Sequence, residues 1–183
     1  PSFVQKMLSD SRYDHEDLIA VLEHLRTHGG KKFSIQAIEF ARNFYKGEPL
    51  GNWSPLSLIK DREVLILGAG PSAKLHRHAL EEYIIARQPI VIALNAQVTI
   101  KEELIDLRAA SHPIRILADY QLHLSHSQPL VTPASMLPES LRISLKDKEL
   151  LDFSLAIEKD TFVFEENHCV LPTSLVIGYA LAI

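Results

Sequence analysis

The sequence holds a single cysteine, Cys169, so no disulfide can close within the chain and no thiolate cluster can hold a metal. A reducing compartment is the natural setting for such a chain, and a cytoplasmic location is expected. Long apolar runs are missing as well. None reaches the roughly 18–20 residues that span a bilayer, and the opening residues lack the basic start and apolar stretch of a secretion signal. No membrane partner is therefore expected. Positive charge is also scarce: 19 Lys and Arg stand against 23 Asp and Glu, a formal net charge of −4, with no basic block. A nucleic-acid surface needs a clustered Lys/Arg face, so nucleic acid is set aside. What remains is ordinary. Hydrophobic residues make up 46% and charged residues 23%, enough to build a core.

Residues 1–47 read as a helical segment. Ser2 is placed to cap a short helix carrying Phe3, Val4, Met7 and Leu8. Asp14 is placed to cap a second, with Leu18, Ile19, Val21, Leu22 and Leu25 at helical spacing. Gly29-Gly30 stops it, and Ser34 opens a third with Ile35, Ile38, Phe40, Ala41 and Phe44 on its apolar face. Residues 48–61 carry Pro49, Gly51 and Pro55 and read as a linker, with Trp53 expected to dock on a neighbouring surface.

From residue 62 the texture changes. Glu63-Val64-Leu65-Ile66-Leu67 is a continuous apolar run ending at Gly68, the signature of a strand buried in a parallel sheet. Residues 72–87 then read as a helix with Leu75, Leu80, Tyr83 and Ile84 on its inner side. Pro89-Ile90-Val91-Ile92-Ala93-Leu94 is a second buried strand, ending at Asn95. Strand, Gly-rich turn, helix and strand make a βαβ unit with parallel pairing. The fold expected for 62–183 is therefore α/β: a Rossmann-like, mostly parallel sheet with flanking helices, preceded by the small helical segment. Further along, 100–110 suggests a helix. Ile114–Ala118, Leu130–Thr132, Leu141–Leu145 and Thr161–Phe164 suggest short strands, and Pro172-Thr173 the start of a last helix.

The chemistry concentrates at Gly68-Ala69-Gly70-Pro71-Ser72-Ala73, which satisfies G-x-G-x-x-A between a buried strand and a helix. Gly68 permits a tight turn, Gly70 lets the backbone approach an anion, and Ala73 allows close helix–sheet packing. N–H groups at the helix start then face a phosphate. Ser72 adds a hydroxyl and a helix cap, while Pro71 has no N–H to lose. A dinucleotide site also wants an acid at the end of the second strand, where this chain has Asn95. NAD is demoted accordingly, and Asn95 becomes a second ligand candidate. A plain strand–helix turn and a loop-capping Asn are the bland readings of the same residues.

Other polar residues offer less. Among nine His, His123 and His126 stand three apart and His76 and His78 lie on the loop helix, but no third ligand is identifiable by spacing and no metal site is assigned. His112 and Asp119 flank an expected strand and line the crevice on one reading, or are solvated on the other. Arg108 pairs with a phosphate or with a surface carboxylate. Ser72, Ser174 and Cys169 lack a nucleophile elbow or a base partner, and Cys169 reads as inert packing.

Two resemblances enter on these residues. Pro1-Ser2-Phe3-Val4-Gln5-Lys6-Met7-Leu8, with Tyr13-Asp14-His15-Glu16-Asp17-Leu18, resembles the helical tail that follows the barrel in the 4-hydroxy-2-oxovalerate aldolase and hydroxymethylglutaryl-CoA lyase superfamily. That family implies a lyase with a divalent metal held in a TIM barrel. The barrel is absent from these residues, so none of its catalytic residues is carried over. Residues 60–183 resemble the extra C-terminal domain of some bacterial members. The resemblance rests on Val64–Ser72, Val91–Asn95, Arg108-Ala109-Ala110-Ser111-His112-Pro113 and Leu171-Pro172 with Tyr179-Ala180-Leu181-Ala182. The G-x-G-P-S turn is also similar to one in a bacterial sialyltransferase fold and in an archaeal pterin diphosphokinase-like family, which implies nucleotide phosphates at Gly68, Gly70, Pro71 and Ser72.

The expectation is thus a piece of a longer protein, truncated at its C-terminus. It would be an accessory nucleotide- or phosphate-ligand-binding domain of a 2-oxo acid aldolase, inactive by itself and with homo-oligomers open to it. A nucleotide-sugar or phosphoryl transferase, an NAD(P)-dependent oxidoreductase and a non-catalytic interaction domain are the alternatives. The cofactor stays unidentified, with a nucleotide or nucleotide sugar in view.

Overall fold

The computed structural model describes residues 49–96, 99–137, 139–158, 161–165 and 168–171. The helices expected over 1–47 and from Pro172 onward lie outside the described residues. Pro55 opens a one-turn helix, α1 (Leu56–Ile59), and β1 (Val64–Leu67) follows. The Gly-rich turn leads into α2 (Pro71–Leu75) and α3 (Arg77–Arg87), separated at His76 rather than forming one helix over 72–87. Gln88, in the left-handed region, ends α3 and β2 (Ile90–Leu94) begins. After a 3-10 turn at Glu102–Leu104 come β3 (Leu107–Ala109), α4 (Pro113–Ser125) and β4 (Leu130–Thr132). A second 3-10 turn, Ala134–Met136, precedes α5 (Glu139–Ser144) and β5 (Leu150–Asp152). The short strands β6 (Ser154–Ile157), β7 (Val163–Phe164) and β8 (His168–Leu171) complete the described chain.

The fold is α/β with a Rossmann-like layering. Five strands form one all-parallel sheet in the order β1-β2-β3-β4-β5, and a smaller sheet runs β6-β8-β7. In the latter β6 is parallel and β7 antiparallel to β8. Because the strands add in one direction, right-handed crossovers place every connection on the same face of the sheet. On that face Leu80 and Ile84 of α3, with Ile100, Leu104 and Ile105, pack on Leu65, Leu67, Val91 and Ala93. Ile90, Ile92 and Leu94, on the opposite face, join a larger cluster with Leu107, Ala109 and Val131. Phe153, Leu155, Cys169 and Leu171 belong to it too, and Trp53, Leu58 and Ile59 pack against it.

The stretch around Trp53 is held on the sheet. Trp53 N–H donates to the Asp152 carbonyl at 2.8 Å, and Ser154 Oγ donates to the Pro49 carbonyl at 3.3 Å. Gly51 lies so close that an added Cβ would stand 2.5 Å from the Phe153 carbonyl carbon. Glycine is obligatory there for reasons of space.

Several expected elements change type. Ile114–Ala118 is helical, not extended: Pro113 occupies the first helical position behind an extended His112, and Ile116 N–H donates to the His112 carbonyl. Residues 100–110 are not a helix. A 3-10 turn leads into β3, whose three residues are all buried, so apolar content there served two-sided burial rather than a helix face. Leu141–Leu145 is helical up to Ser144. Leu141 and Leu145 are buried four residues apart, while Arg142, Ile143 and Ser144 between them are exposed. The strand expected at Thr161–Phe164 shortens to Val163–Phe164. On the loop helices Leu80 and Ile84 face inward as expected. Leu75 and Tyr83 do not: both are exposed, and the Tyr83 hydroxyl donates to Glu63 at the surface.

Candidate functional site

In a parallel sheet the carboxyl ends of all strands open on one edge, where loops are free to hold ligands. Here that edge carries, in strand order, Gly68–Ser72, then Asn95, then Ser111 and His112, then Ser135, then Asp152 and Ser154. Neighbouring strands lie about 4.8 Å apart, so the row from the Gly-rich turn to Asp152 spans roughly 19 Å.

All of Gly68, Ala69, Gly70, Pro71 and Ser72 are exposed. Gly70 is the helix cap, with φ −67° and ψ 153°, and Pro71 takes the first helical position. The Gly70 carbonyl accepts the Ala73 N–H at 3.2 Å. Ser72 therefore sits inside α2 and is not its cap, because the preceding glycine already supplies the extended residue and carbonyl. Neither glycine is in the left-handed region. A Cβ at Gly68 would meet nothing within 4 Å among the described residues, and one at Gly70 only Ser72 Oγ at 3.8 Å.

Asn95 lies immediately past β2 in the left-handed region, φ 57°, a conformation that Asn tolerates better than most residues. Its N–H donates to the Ala109 carbonyl at 2.7 Å, which ties the end of β2 to the end of β3. Asn95 and the Gly-rich turn thus lie on adjacent strands of one edge. His112, the cap of α4, is half-buried on the next strand; desolvation and the Arg115 charge push its pKa down to about 4, so it is neutral at pH 7. Asp119, expected just past a strand at Ile114–Ala118, is instead within α4, facing Arg115 across 3.4 Å.

Arg108 is an interior residue and not an exposed anion partner. It is fully buried in β3, on the helix-covered face, and its Nε donates to Gln128 Oε1 at 3.1 Å. It points into the interior, close enough to Glu102 to feel its charge, because a residue in the middle of a short central strand has both faces covered. Burial lowers its pKa while Glu102 opposes the shift. His123 and His126 lie at the other end of α4, near Arg108, and His76 and His78 are exposed on the loop helices. Among the described residues no group of three His, Cys, Asp or Glu is placed to hold a metal. Cys169 is buried in β8 with its thiol pushed up to about 12 by desolvation, the state of an inert packing residue. Ser174 lies outside the described residues.

Two pairs at the far end of the edge escaped sequence reading. Asp152 accepts from Ser135 through both its backbone N–H, at 3.1 Å, and its hydroxyl, at 3.4 Å. Ser154 Oγ meets His168 Nδ1 at 2.5 Å across the register of β6 and β8. Both pairs depend on strands that leave no local spacing to read.

The fold and edge define an α/β protein with an all-parallel sheet. No family model matches the chain, and neither the curated proteins nor the solved structures contain a significant match to it. Among the described residues no helix is long and apolar enough to cross a membrane.

Proposed function

We propose that this chain carries an accessory domain that binds a small phosphate-bearing ligand, a nucleotide or nucleotide sugar, at Gly68–Ser72 and Asn95. The observation that carries the reading is that Gly68 and Gly70 have no internal reason to be glycine. Neither needs a positive φ, and among the described residues no atom crowds either position. Gly51 shows the contrast, since the fold itself fills the space a side chain would need. Glycine costs backbone entropy, so two glycines that the fold does not require fit a group arriving from outside. The exposed turn, with Pro71 behind it and Asn95 on the adjacent strand, suits an anion and its attached sugar. The aldolase-like tail resembled by residues 1–25 supports placing this domain in a 2-oxo acid lyase, with the carbon–carbon chemistry outside these residues.

The test is a thermal-shift panel with NAD, NADP, CMP, CDP, UDP, GDP, ATP and CMP- or UDP-linked sugars. A ligand at a hundred times its Kd stabilises by about 2.7 kcal/mol. At least one nucleotide is expected to raise Tm, and Gly70→Val is expected to abolish that rise while leaving the unliganded Tm near the parent value. A panel without a shift, or binding that survives Gly70→Val, overturns the assignment.

A further inference from the structure

The amino ends of β3, β4 and β5, opposite the ligand edge, hold a polar cluster that runs from the half-exposed Glu102 inward to Gln128 and Arg108. Glu102, just before β3, accepts from Ser127 N–H at 3.1 Å and contacts His126 Nδ1 at 3.2 Å, and its carbonyl accepts from Gln128 Nε2 at 2.8 Å. Gln128 in turn accepts from Arg108, and Lys148, before β5, donates to the His126 carbonyl. These bonds fasten the chain leaving α4 to the sheet. Directly beneath them His123 is fully buried, and among the described residues neither of its ring nitrogens has a hydrogen-bond partner. A buried imidazole without partners is an exception among folded proteins.

Among the described residues the charges that act on His123 are cationic or can become so: Arg108 from β3, His126 and Arg115 from either end of α4, and Lys148 from the approach to β5, while Asp119, one turn earlier on α4, is engaged by Arg115. The carboxylate of the cluster, Glu102, is bound to His126 and Ser127. We infer that His123 is an acid-sensitive latch: the neutral imidazole lets the C-terminal half of α4 lie on the sheet, and proton uptake by His123 releases it. Protonation in place would bury a further cation beside Arg108 and Lys148 with no acceptor among the described residues, so the proton is taken up when the helix lifts. Burial and these neighbours push the His123 pKa down to about 3 in the closed state. The same helix begins at His112 on the ligand edge, whose cap and first-turn hydrogen bond stay in place when the C-terminal half lifts.

Native-state amide exchange of the full chain, corrected for intrinsic rates, tests this between pH 7.5 and 5. With an open-state pKa near 6.5, the opening equilibrium rises about 30-fold over that range. Protection across residues 116–126 is expected to fall by that factor and to remain below that of β2 throughout. His123→Leu and the polar His123→Gln are both expected to flatten the dependence, and His126→Gln to retain most of it. Helix protection that ignores pH, a slope that survives loss of the imidazole, or one common opening energy for helix and β2 overturns the latch. If a variant fails to fold, the wild-type slope and the helix-versus-β2 comparison still decide, since a helix that ignores pH or opens only with β2 overturns the latch.

Discussion

Glycine carries two different meanings in this chain, and geometry separates them. Gly51 faces backbone: an added Cβ would stand 2.5–2.7 Å from Phe153 and Asp152 carbonyl atoms, which cannot rotate away. Gly51→Ala is expected to cost about 1–3 kcal/mol, read as a lower urea midpoint with an unchanged slope. Gly68→Ala is expected to leave the midpoint within about 0.5 kcal/mol, as its position is open. Sequence reading saw the second glycine and passed over the first. A motif is local and announces itself, whereas the demand on Gly51 comes from a strand a hundred positions away. Arg108 failed for a related reason. Nothing in its neighbours says that both faces of its strand are covered, so it read as an accessible anion partner when it is an interior hydrogen-bond donor.

Among elements, legibility followed length and continuity of burial. β2 is buried at all five positions and its apolar run marked it almost to the residue. β1 was equally clear, although as the edge of the described sheet it is only half-buried along most of its length. Of the three-residue strands, β4 was read at its bounds from the apolar Leu130-Val131, whereas β3 and β5 are too short for a period to emerge, and α4 hid behind Ile114 and Ile116, whose branching suggested extension. Packing then decided what propensity could not. Ile84 shows how firmly the loop helix is fixed, being buried against Leu67, Val91 and Ala93. Ile84→Ala is expected to cost about 2–5 kcal/mol by chemical denaturation, whereas truncating the exposed Leu75 should be nearly silent. If the two variants unfolded at the same midpoint, the division of α2 from α3 at His76 would have to be redrawn.

At the scale of the whole molecule the histidines set the response to acid. His123 has a folded pKa near 3 and His112 near 4, both below the unfolded value, so the unfolded chain binds more protons as pH falls. Stability is therefore highest above about pH 6.5 and declines as pH drops from there toward 3. Urea midpoints at pH 7.5, 6 and 5 should fall in that order, and the fall should be smaller in His123→Leu. Cys169 behaves in the opposite sense. Its thiol is protonated when folded and ionises near pH 8.5 when unfolded, so alkaline solution above that value favours the unfolded state. Because it is buried, its reaction with a thiol reagent at pH 8 should proceed only as fast as the protein opens. A fast reaction in native buffer would show that β8 is not closed over it.

The strand order has a consequence for how the molecule comes into being. As β1 to β5 join the sheet in the sequence in which a ribosome makes them, each new strand finds its neighbour already present and never waits for one yet to be synthesised. Each parallel pairing still joins residues 15 to 26 positions apart across a crossover, a non-local contact that forms more slowly than a hairpin. The contacts of Pro49, Gly51 and Trp53 with residues 152–154 join early residues to late ones and cannot form until β5 has been made. Arrested nascent chains ending between β4 and β5 should already protect β1–β3 from proteases while leaving Trp53 free to be quenched from solution.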